Sequence, residues 1–287
     1  MELVVISGKG GTGKTTIAVA LSELAHNVIK ADCDVDAPNL YLMYKGEDIS
    51  KADFVTGNSA KINSDICIEC GKCVEVCRFN AIQDFVINSY KCEGCGACSI
   101  VCPVGAAELK EDIGAKTIVT NSSKGIISRA EMEIGADGSG KLITEVRRNA
   151  EKYENEDTIT IIDGSPGIGC AVISSITNSD YSLVVTEPTK SGLEDMMRVL
   201  SVCEYFNVQS FVCINKWDIN AEVTNEIKEY CKSKNIKIIG EIPYDDSVMK
   251  AINELKPITE YENSSANKAI RSMWENLKID TKYQIES

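Results

Sequence analysis

The sequence of 287 residues has a single histidine, His26, and contains no long apolar run. Histidine is the side chain that most often serves as a general base near neutral pH, so the chemistry must depend on other groups. The position of His26, between a predicted helix and a predicted strand, favours a helix cap. No segment approaches the ~20 apolar residues that a membrane span requires, and we expect none. The chain begins with a predicted strand instead of a signal peptide, which predicts a cytoplasmic location.

Basic residues are also scarce. The chain has 30 Lys and Arg residues against 43 Asp and Glu residues, and its formal net charge is -13. A protein that binds nucleic acid needs a basic face to neutralise phosphates, and no Lys/Arg cluster stands out here. We therefore expect no nucleic-acid partner. The length fits one large globular domain with a small additional module.

Short apolar segments alternate with helical patterns along most of the chain. The apolar segments are ELVVISG, NVIKAD, TITIIDG, YSLVVTEP, SFVCINK and IKIIGEIP. Their continuous apolar character is typical of strands buried on both faces, as in a parallel sheet covered by helices. Helical spacing of apolar residues occurs at 14–26, 140–153, 190–206, 221–234 and 264–277. The predicted fold class is therefore α/β, with a doubly wound, mostly parallel sheet.

Residues 62–112 interrupt this alternation. The segments CIECGKCVEVCRFNAI and CEGCGACSIVCPVGAA repeat each other at an offset of 25 residues, which indicates a duplicated unit. A compact module whose ends lie close together is tolerated as an insertion in a loop. We therefore predict the first part of the large domain at 1–61, an inserted small α+β module at 62–112 and the remainder of the large domain at 113–287.

A glycine-rich loop lies between the first predicted strand and the first predicted helix. Residues Gly8–Thr15 match the pattern G-x-x-x-x-G-K-[ST], in which backbone N–H groups and the helix N-terminus hold phosphates. Lys14 is expected to contact the β- and γ-phosphates, and the Thr15 hydroxyl to ligate Mg²⁺. The residues predicted to bind the nucleotide here are Gly8, Gly10, Gly11, Thr12, Gly13, Lys14, Thr15 and Thr16.

Cysteines are concentrated in the predicted insertion. Eight of the 13 cysteines lie between Cys67 and Cys102, in two runs with C-x₂-C-x₂-C-x₃-C spacing. In such runs three thiolates bind one cluster and the fourth reaches the cluster of the other run. The predicted 4Fe-4S ligand sets are Cys67, Cys70, Cys73 and Cys102 for the first cluster, and Cys92, Cys95, Cys98 and Cys77 for the second. Zinc is the alternative, although Cys₄ zinc sites usually have two separated C-x₂-C pairs. The module closely resembles a bacterial two-cluster ferredoxin.

The KGGTGKT segment resembles the deviant phosphate loop of the MinD/ParA/Mrp and nitrogenase-iron-protein class, which has the SIMIBI-type P-loop NTPase fold. In that class the first lysine crosses a dimer interface and contacts the phosphates of the other subunit's nucleotide, so the resemblance assigns this role to Lys9. It also implies that Asp34 orients the attacking water and that Asp32 supports the Mg²⁺ site. Asp163, in the segment TIIDGSPGIG, would hold a Mg²⁺-bound water. The resemblance thus implies catalytic roles for Lys9, Lys14, Asp34 and Asp163.

The CINKWD segment follows a late strand, where nucleotide bases dock in this class. Asn215 is the expected base contact, and Lys216 and Asp218 complete the segment's predicted nucleotide contacts. Asn-Lys-x-Asp is also how GTPases recognise guanine, through a carboxylate that accepts from the guanine N–H groups. Asp218 therefore leaves GTP open, whereas the family resemblance favours ATP.

A deviant phosphate loop together with a ferredoxin-like insertion resembles the MinD-superfamily ATPases that contain an inserted ferredoxin domain. This resemblance implies that nucleotide state is coupled to electron transfer through two 4Fe-4S clusters. The expected partners are a second copy or a paralogue in a nucleotide-dependent dimer, and a redox partner protein. Two alternatives stay open: an iron-sulfur assembly or carrier ATPase of the Mrp type, and a positioning or sensory ATPase with a structural ferredoxin module.

Cys170 follows Asp163 by seven residues, the offset at which nitrogenase-type iron proteins place a ligand of a cluster shared between subunits. Those proteins need a second cysteine ahead of the preceding helix, and the corresponding stretch EIGADGSGKLITEVR has none. We therefore predict a buried cysteine at the start of a helix instead of a cluster ligand.

Overall fold

The computed structural model describes residues 1–133, 136 and 139–281 of the chain. The chain divides into two compact units. The first unit comprises Met1–Lys51, Thr117–Glu131 and Ser139–Ser287. The second unit comprises Ala52–Lys116 and Met132–Gly138, and it contains all eight of the closely spaced cysteines.

The strands and helices follow in chain order. The strands are β1 (Glu2–Ser7), β2 (Val28–Asp32), β3 (Gly46–Ile62), β4 (Ile82–Gln83), β5 (Val86–Ile87), β6 (Ala107–Ser122), β7 (Gly125–Met132), β8 (Ile159–Pro166), β9 (Tyr181–Thr186), β10 (Gln209–Asn215) and β11 (Lys237–Ile242). The helices are α1 (Lys14–Leu24), α2 (Lys72–Val76), α3 (Ala97–Val101), α4 (Ser139–Glu151), α5 (Cys170–Ile176), α6 (Lys190–Tyr205), α7 (Ala221–Ser233), α8 (Asp246–Asn253) and α9 (Ser265–Thr281).

The main sheet has the strand order β11-β10-β9-β1-β8-β2-β7-β6-β3. The seven strands from β11 to β7 pair in parallel. All of them except β7 were predicted from their continuous apolar character. Strand β1 lies between β9 and β8, and four of its residues, Leu3 to Ile6, are fully buried. The carboxyl ends of β1, β8 and β2 therefore meet at one edge of the sheet, where ligands bind in open α/β folds.

The sequence analysis missed the two long strands, β3 and β6, and the strand β7. Strand β3 has 17 residues, and most of them are exposed, so it lacks the apolar run by which the other strands were identified. Its partner β6 runs antiparallel to it, because Asn63 donates to the Ala106 carbonyl beyond one end and Ser123 donates to the Lys45 carbonyl beyond the other. Both strands include residues of the first and of the second unit.

Helix α9 packs into the apolar core of the first unit. Its residues Met273, Trp274 and Leu277 are at most 3% exposed, and the helix contacts β11. Each such side chain contributes about 1.5–3 kcal/mol when fully buried. The helical pattern at 264–277 is therefore confirmed as a helix. Within the part of the chain that the structure describes, none of the helices combines the length and apolarity needed to span a bilayer.

The second unit contains two structurally equivalent halves. Helices α2 and α3 each follow a glycine in the left-handed conformation, Gly71 with φ 78° and Gly96 with φ 76°. The halves also exchange equivalent backbone hydrogen bonds. Asn63 donates to the Ala106 carbonyl at 2.8 Å, and Asn88 donates to the Ala81 carbonyl at 2.7 Å. Each member of one pair lies 25 residues from its counterpart in the other, which is the offset of the sequence repeat.

Candidate functional site

The glycine-rich loop occupies Gly8–Gly13, directly between the carboxyl end of β1 and the start of α1. Gly13 caps α1 with φ 90°, and a Cβ at this position would lie 2.4 Å from Asn215 Nδ2. The same Asn215 amide donates to the Thr12 carbonyl at 2.8 Å. Only glycine allows this approach, so the end of β10 fixes the second half of the loop. Thr15 and Thr16 lie in the first turn of α1, as the phosphate-loop pattern requires.

Lys14 is the buried cation of the site. Its Nζ lies 2.7 Å from Asp163 Oδ1 and 3.2 Å from Asp34 Oδ2, and its side chain is 6% exposed. Burial lowers the pKa of Lys14, but the carboxylates of Asp163 and Asp34 outweigh that effect and hold the pKa above its ordinary value. Lys14 is therefore charged, and the carboxylates of Asp34 and Asp163 neutralise it within the chain.

Asp32 and Asp163 are register partners on the adjacent parallel strands β2 and β8, and both are fully buried. Asp32 accepts from the backbone N–H of Asp34 at 3.3 Å and from that of Leu40 at 3.1 Å. Burial, followed by the negative charge of Asp163, raises the pKa of Asp32 well above its ordinary value. Burial also raises the pKa of Asp34, despite the nearby Lys14. The three carboxylates thus concentrate negative charge, so that a cation bound by one or two of them is favourable.

Two buried polar atoms at this site have no hydrogen-bond partner among the described residues. They are Asp163 Oδ2 and Thr12 Oγ1. A buried carboxylate oxygen without a partner is costly unless a ligand, an ion or a water satisfies it. The donor set fits Mg²⁺, which prefers one or two carboxylates together with waters and phosphate oxygens.

Lys9 points to the start of α6. Its Nζ donates to Thr189 Oγ1 at 3.2 Å and to Ser191 Oγ at 3.3 Å. Thr189 is also the N-cap residue of α6, since its hydroxyl accepts from the Gly192 N–H at 2.9 Å. The sequence analysis assigned Lys9 a role toward a partner subunit and did not identify these hydroxyls. A threonine directly before a helical pattern is an N-cap signal, but it does not reveal which lysine lies beside it.

The predicted base-binding segment is tied to neighbouring loops. Asn215 Oδ1 accepts from the backbone N–H of Lys216 at 3.0 Å, and Lys216 Nζ pairs with Glu187 Oε1 at 2.7 Å. Asp218 Oδ1 accepts from the backbone N–H of Tyr244 at 2.8 Å. These contacts hold the loops after β9, β10 and β11 together at the carboxyl edge of the sheet. The base contacts of Asn215, Lys216 and Asp218 stay a prediction.

Two cavities in the second unit are lined by the predicted ligand sets. The cysteines that line the first are Cys67, Cys70, Cys73 and Cys102. The cysteines that line the second are Cys77, Cys92, Cys95 and Cys98. Each cavity thus contains three cysteines of one run and the fourth of the other. Among residues 1–133, 136 and 139–281, however, no three His, Cys, Asp or Glu side chains converge closely enough to hold a single metal ion.

Backbone N–H groups point at the sulfurs of both cavities. Cys77 Sγ accepts from Ala81 N–H at 3.3 Å and Cys102 Sγ accepts from Ala106 N–H at 3.1 Å, a bond repeated at the 25-residue offset. Backbone N–H groups, chiefly that of Ala107, hold the pKa of the Cys102 thiol below its ordinary value. Burial raises the pKa of the Cys73 and Cys98 thiols.

Cys170 lies at the start of α5, as predicted, but it is exposed. The expectation that it is buried is therefore wrong, because the first turn of this helix leaves its side chain uncovered. The other scattered cysteines are buried, in agreement with their interpretation as small apolar residues. They are Cys33, Cys203, Cys213 and Cys231.

A glycine-rich loop between a buried strand and a helix, with a buried lysine facing two strand-end aspartates, defines a P-loop nucleotide-binding α/β protein. The family model described as the CobQ/CobB/MinD/ParA nucleotide binding domain matches residues 3–258. The chain therefore belongs to the CobQ/CobB/MinD/ParA family. It is 38% identical over 283 residues to the uncharacterized protein MJ0578 of Methanocaldococcus jannaschii, covering 97% of this chain and 96% of that protein.

Solved structures share the fold at lower identity. The septum site-determining protein MinD of Pyrococcus horikoshii, complexed with Mg-ADP, superposes with a TM-score of 0.58 at 19% identity, over 99% of each chain. A ParA family ATPase from Chlorobium tepidum gives a TM-score of 0.56 at 16% identity, over 96% of this chain and 98% of that one. At these identities the likeness shows the fold.

Proposed function

We propose that this protein binds and hydrolyses Mg-ATP as a dimer and couples its nucleotide state to electron transfer through two 4Fe-4S clusters. The observation that carries the proposal is the presence, in one chain, of the Lys14 site and of two cavities with crossed sets of four cysteines. The inserted module would occupy 62–112, flanked by the ATPase segments 1–61 and 113–287.

The nucleotide half of the proposal is supported by the geometry around Lys14 and by the Mg-ADP complex of the P. horikoshii relative. Lys14 would release Asp34 and Asp163 and contact the β- and γ-phosphates. The Thr15 hydroxyl, Asp32 and the unpartnered Asp163 Oδ2 would form the Mg²⁺ site. Asp34 would orient a water that attacks the γ-phosphorus, so that the β–γ bridging bond breaks and ADP and phosphate form.

Lys9 is the residue that would make hydrolysis depend on dimerisation. In this structure it is held by Thr189 and Ser191 of its own chain. Released from these hydroxyls, its ammonium group would contact the phosphates in the pocket of the other subunit. A second cation there would neutralise charge that develops during phosphoryl transfer, as an arginine finger does. The other subunit would be a second copy of the chain or a paralogue.

The cysteine half of the proposal rests on the chemistry of the donor sets. Thiolates that bind one Zn²⁺ must converge to about 3.8 Å from each other, because each Zn–S bond is about 2.3 Å long. The thiols of a 4Fe-4S site surround a four-iron cluster, which is larger than one Zn²⁺ ion. They therefore line a cavity instead of converging on one point. The two cavities, each lined by four of these cysteines, support this arrangement. When bound, the clusters would supply one-electron transfer to or from a redox partner protein.

A positioning ATPase with a structural iron-sulfur module is the second candidate. It is favoured by the full-length fold similarity to MinD and by the cysteines that contribute to the apolar core of the second unit. In that case the nucleotide would have no effect on cluster potential.

The test is a redox titration of the anaerobically purified protein, with and without ATP and Mg²⁺. We expect a nucleotide-dependent shift of the cluster midpoint potential in the wild type, and no shift in Lys9→Ala. The matched control is Lys232→Ala, an exposed lysine of α7, which should behave like the wild type. An unshifted wild-type potential accompanied by normal ATP hydrolysis would exclude the coupled function and favour the positioning ATPase.

A further inference from the structure

A buried arginine connects the nucleotide site to the two long strands. Arg129 lies on β7 and is 6% exposed. Its guanidinium lies over the Tyr41 ring, 4.3 Å from the centroid, and pairs with Asp48 Oδ1 at 3.7 Å and with Glu131 Oε1 at 2.5 Å. A buried guanidinium that is left without a charged partner strongly destabilises the folded protein. The side chains that contact Arg129 are therefore expected to move together with it.

Tyr41 connects Arg129 to the Mg²⁺ end of the predicted site. It belongs to a 3₁₀ turn, Leu40–Met43, that follows the segment containing Asp32 and Asp34. Leu40 is fully buried, and its backbone N–H donates to Asp32 Oδ2 at 3.1 Å. A change in the position of the Asp32 carboxylate therefore acts on the backbone of the residue before Tyr41.

Asp48 connects Arg129 to the portions of β3 and β6 that lie in the first unit. It lies on β3, and its Oδ1 also accepts from Thr120 Oγ1 of β6 at 2.7 Å. All of these residues belong to the first unit, whereas β3 continues to Ile62 and β6 begins at Ala107, both in the second unit. Arg129 therefore contacts Tyr41, in the turn that is hydrogen-bonded to Asp32, and Asp48, in the first-unit part of β3.

The other end of the turn is held independently. The Tyr44 ring lies under Lys30 Nζ, 4.6 Å from the ring centroid, and the Tyr44 hydroxyl donates to the Val19 carbonyl at 3.4 Å. These contacts attach Tyr44 to β2 and α1. A displacement that starts at Leu40 is thus directed toward Tyr41 and Arg129, because the turn is fixed at Tyr44.

We propose that Arg129 is a positioning residue that transmits the nucleotide state from Asp32, through Tyr41, to Asp48 and the strands β3 and β6. This inference rests on the proposed function, since it names the connection by which the nucleotide site would influence the cysteine-containing unit. The cation–π contact with Tyr41 and the ion pair with Asp48 are its two essential contacts.

The variants separate these contacts from general stability. Tyr41→Leu removes the aromatic face, whereas Tyr41→Phe keeps it, and both remove the hydroxyl. Asp48→Asn removes the charge of a side chain that is 46% exposed, and Glu131 still pairs with Arg129, so the variant should keep its fold. Thermal unfolding of each variant checks that the fold is retained.

The experiment is hydrogen exchange of the full chain, with and without Mg²⁺ and a non-hydrolysable ATP analogue. We expect amides of residues 32–40 to respond to the analogue in every variant. Amides of β3 and β6 should respond in the wild type and in Tyr41→Phe, and this response should be lost in Tyr41→Leu and Asp48→Asn. The inference would be overturned if the exchange of β3 and β6 amides in Tyr41→Leu changed with the analogue as much as it does in the wild type. It would also be overturned if, in the wild type, residues 32–40 responded to the analogue and β3 and β6 did not.

Redox titration of the same proteins with their clusters distinguishes this inference from the proposed function. If the exchange pattern is as expected but the wild-type potential does not shift with nucleotide, the coupled function fails and the Arg129 connection stands. If the wild-type potential shifts and Tyr41→Leu shifts equally, the coupled function stands and the Arg129 connection fails.

Discussion

The two units of the molecule build their candidate sites in opposite ways. In the first unit, the buried pair of Lys14 and Asp163 lies at the edge of a sheet with an extensive apolar core. Among the described residues of the second unit, one core cluster has five buried members, Ala60, Cys73, Ile82, Cys98 and Ala107, with Ile62, Phe85 and Ile87 packed against it. Two of the five are predicted ligands. An extensive apolar core thus supports the nucleotide site of the first unit, whereas the proposed clusters would complete the small core of the second unit.

The largest expected effect is therefore the unfolding of the second unit on removal of the proposed iron-sulfur clusters. Anaerobic chelation should make residues 62–107 sensitive to protease, because the remaining apolar core is too small to stabilise the fold. The first unit should keep its resistance and its cooperative thermal transition. Limited proteolysis, followed by identification of the cleavage sites, measures both. Resistance of the iron-free second unit would show that its core suffices without clusters.

A smaller effect, confined to the first unit, is expected for Asp163→Asn. The change removes a charge opposite Lys14 and a ligand atom of the predicted Mg²⁺ site. ATP hydrolysis should fall by about 100-fold or more, equivalent to roughly 3 kcal/mol of transition-state stabilisation. Visible absorption of the clusters should not change. Asp157→Asn, in an exposed turn of the same unit, is the control, and equal losses in both variants would contradict the assignment.

The smallest effect concerns stability of the first unit alone. Asp245 caps α8 and accepts from the hydroxyls of Ser264 and Ser265. Burial raises its pKa, but hydrogen bonds led by those from Ser264 and Ser247 outweigh burial and hold the pKa below its ordinary value. Asp245→Ala should lower the free energy of unfolding by about 1 kcal/mol.

The pH dependence of this difference follows from the lowered pKa. A carboxyl group with a lower pKa in the folded state stabilises the protein fully above its ordinary pKa, and this stabilisation is lost as the pH falls toward the folded-state pKa. The difference in the free energy of unfolding between wild type and Asp245→Ala should be constant above about pH 5 and should become smaller below about pH 4. Denaturant unfolding of the first-unit transition at both pH values measures it. A gap independent of pH would mean that capping geometry, and not charge, is responsible.

The comparison between units also explains how much of the fold was predictable. Strands such as β1 and β8 are buried on both faces, and their apolar runs identify them without further information. Strand β3 was missed because its polar residues face solvent and its order comes from pairing with β6, about 60 residues away along the chain.

The predictability of the sites follows the same division. Lys14, Thr15 and the eight clustered cysteines belong to local patterns in which spacing reflects the chemistry. The contact of Lys9 with Thr189 and that of Arg129 with Tyr41 join segments far apart in sequence. No local pattern encodes such pairs, because the packing of separate elements creates them.

The alternation of side chains along β3 constrains how the length of this strand can change during evolution. Successive residues of a strand face opposite sides, so gaining or losing one residue between Asp48 and Ala60 inverts every side chain beyond it. Adding or removing two residues keeps each side chain on its face of the sheet and changes the length of β3 by about 7 Å. Homologous chains with the same fold should therefore differ in the length of β3 by even numbers of residues.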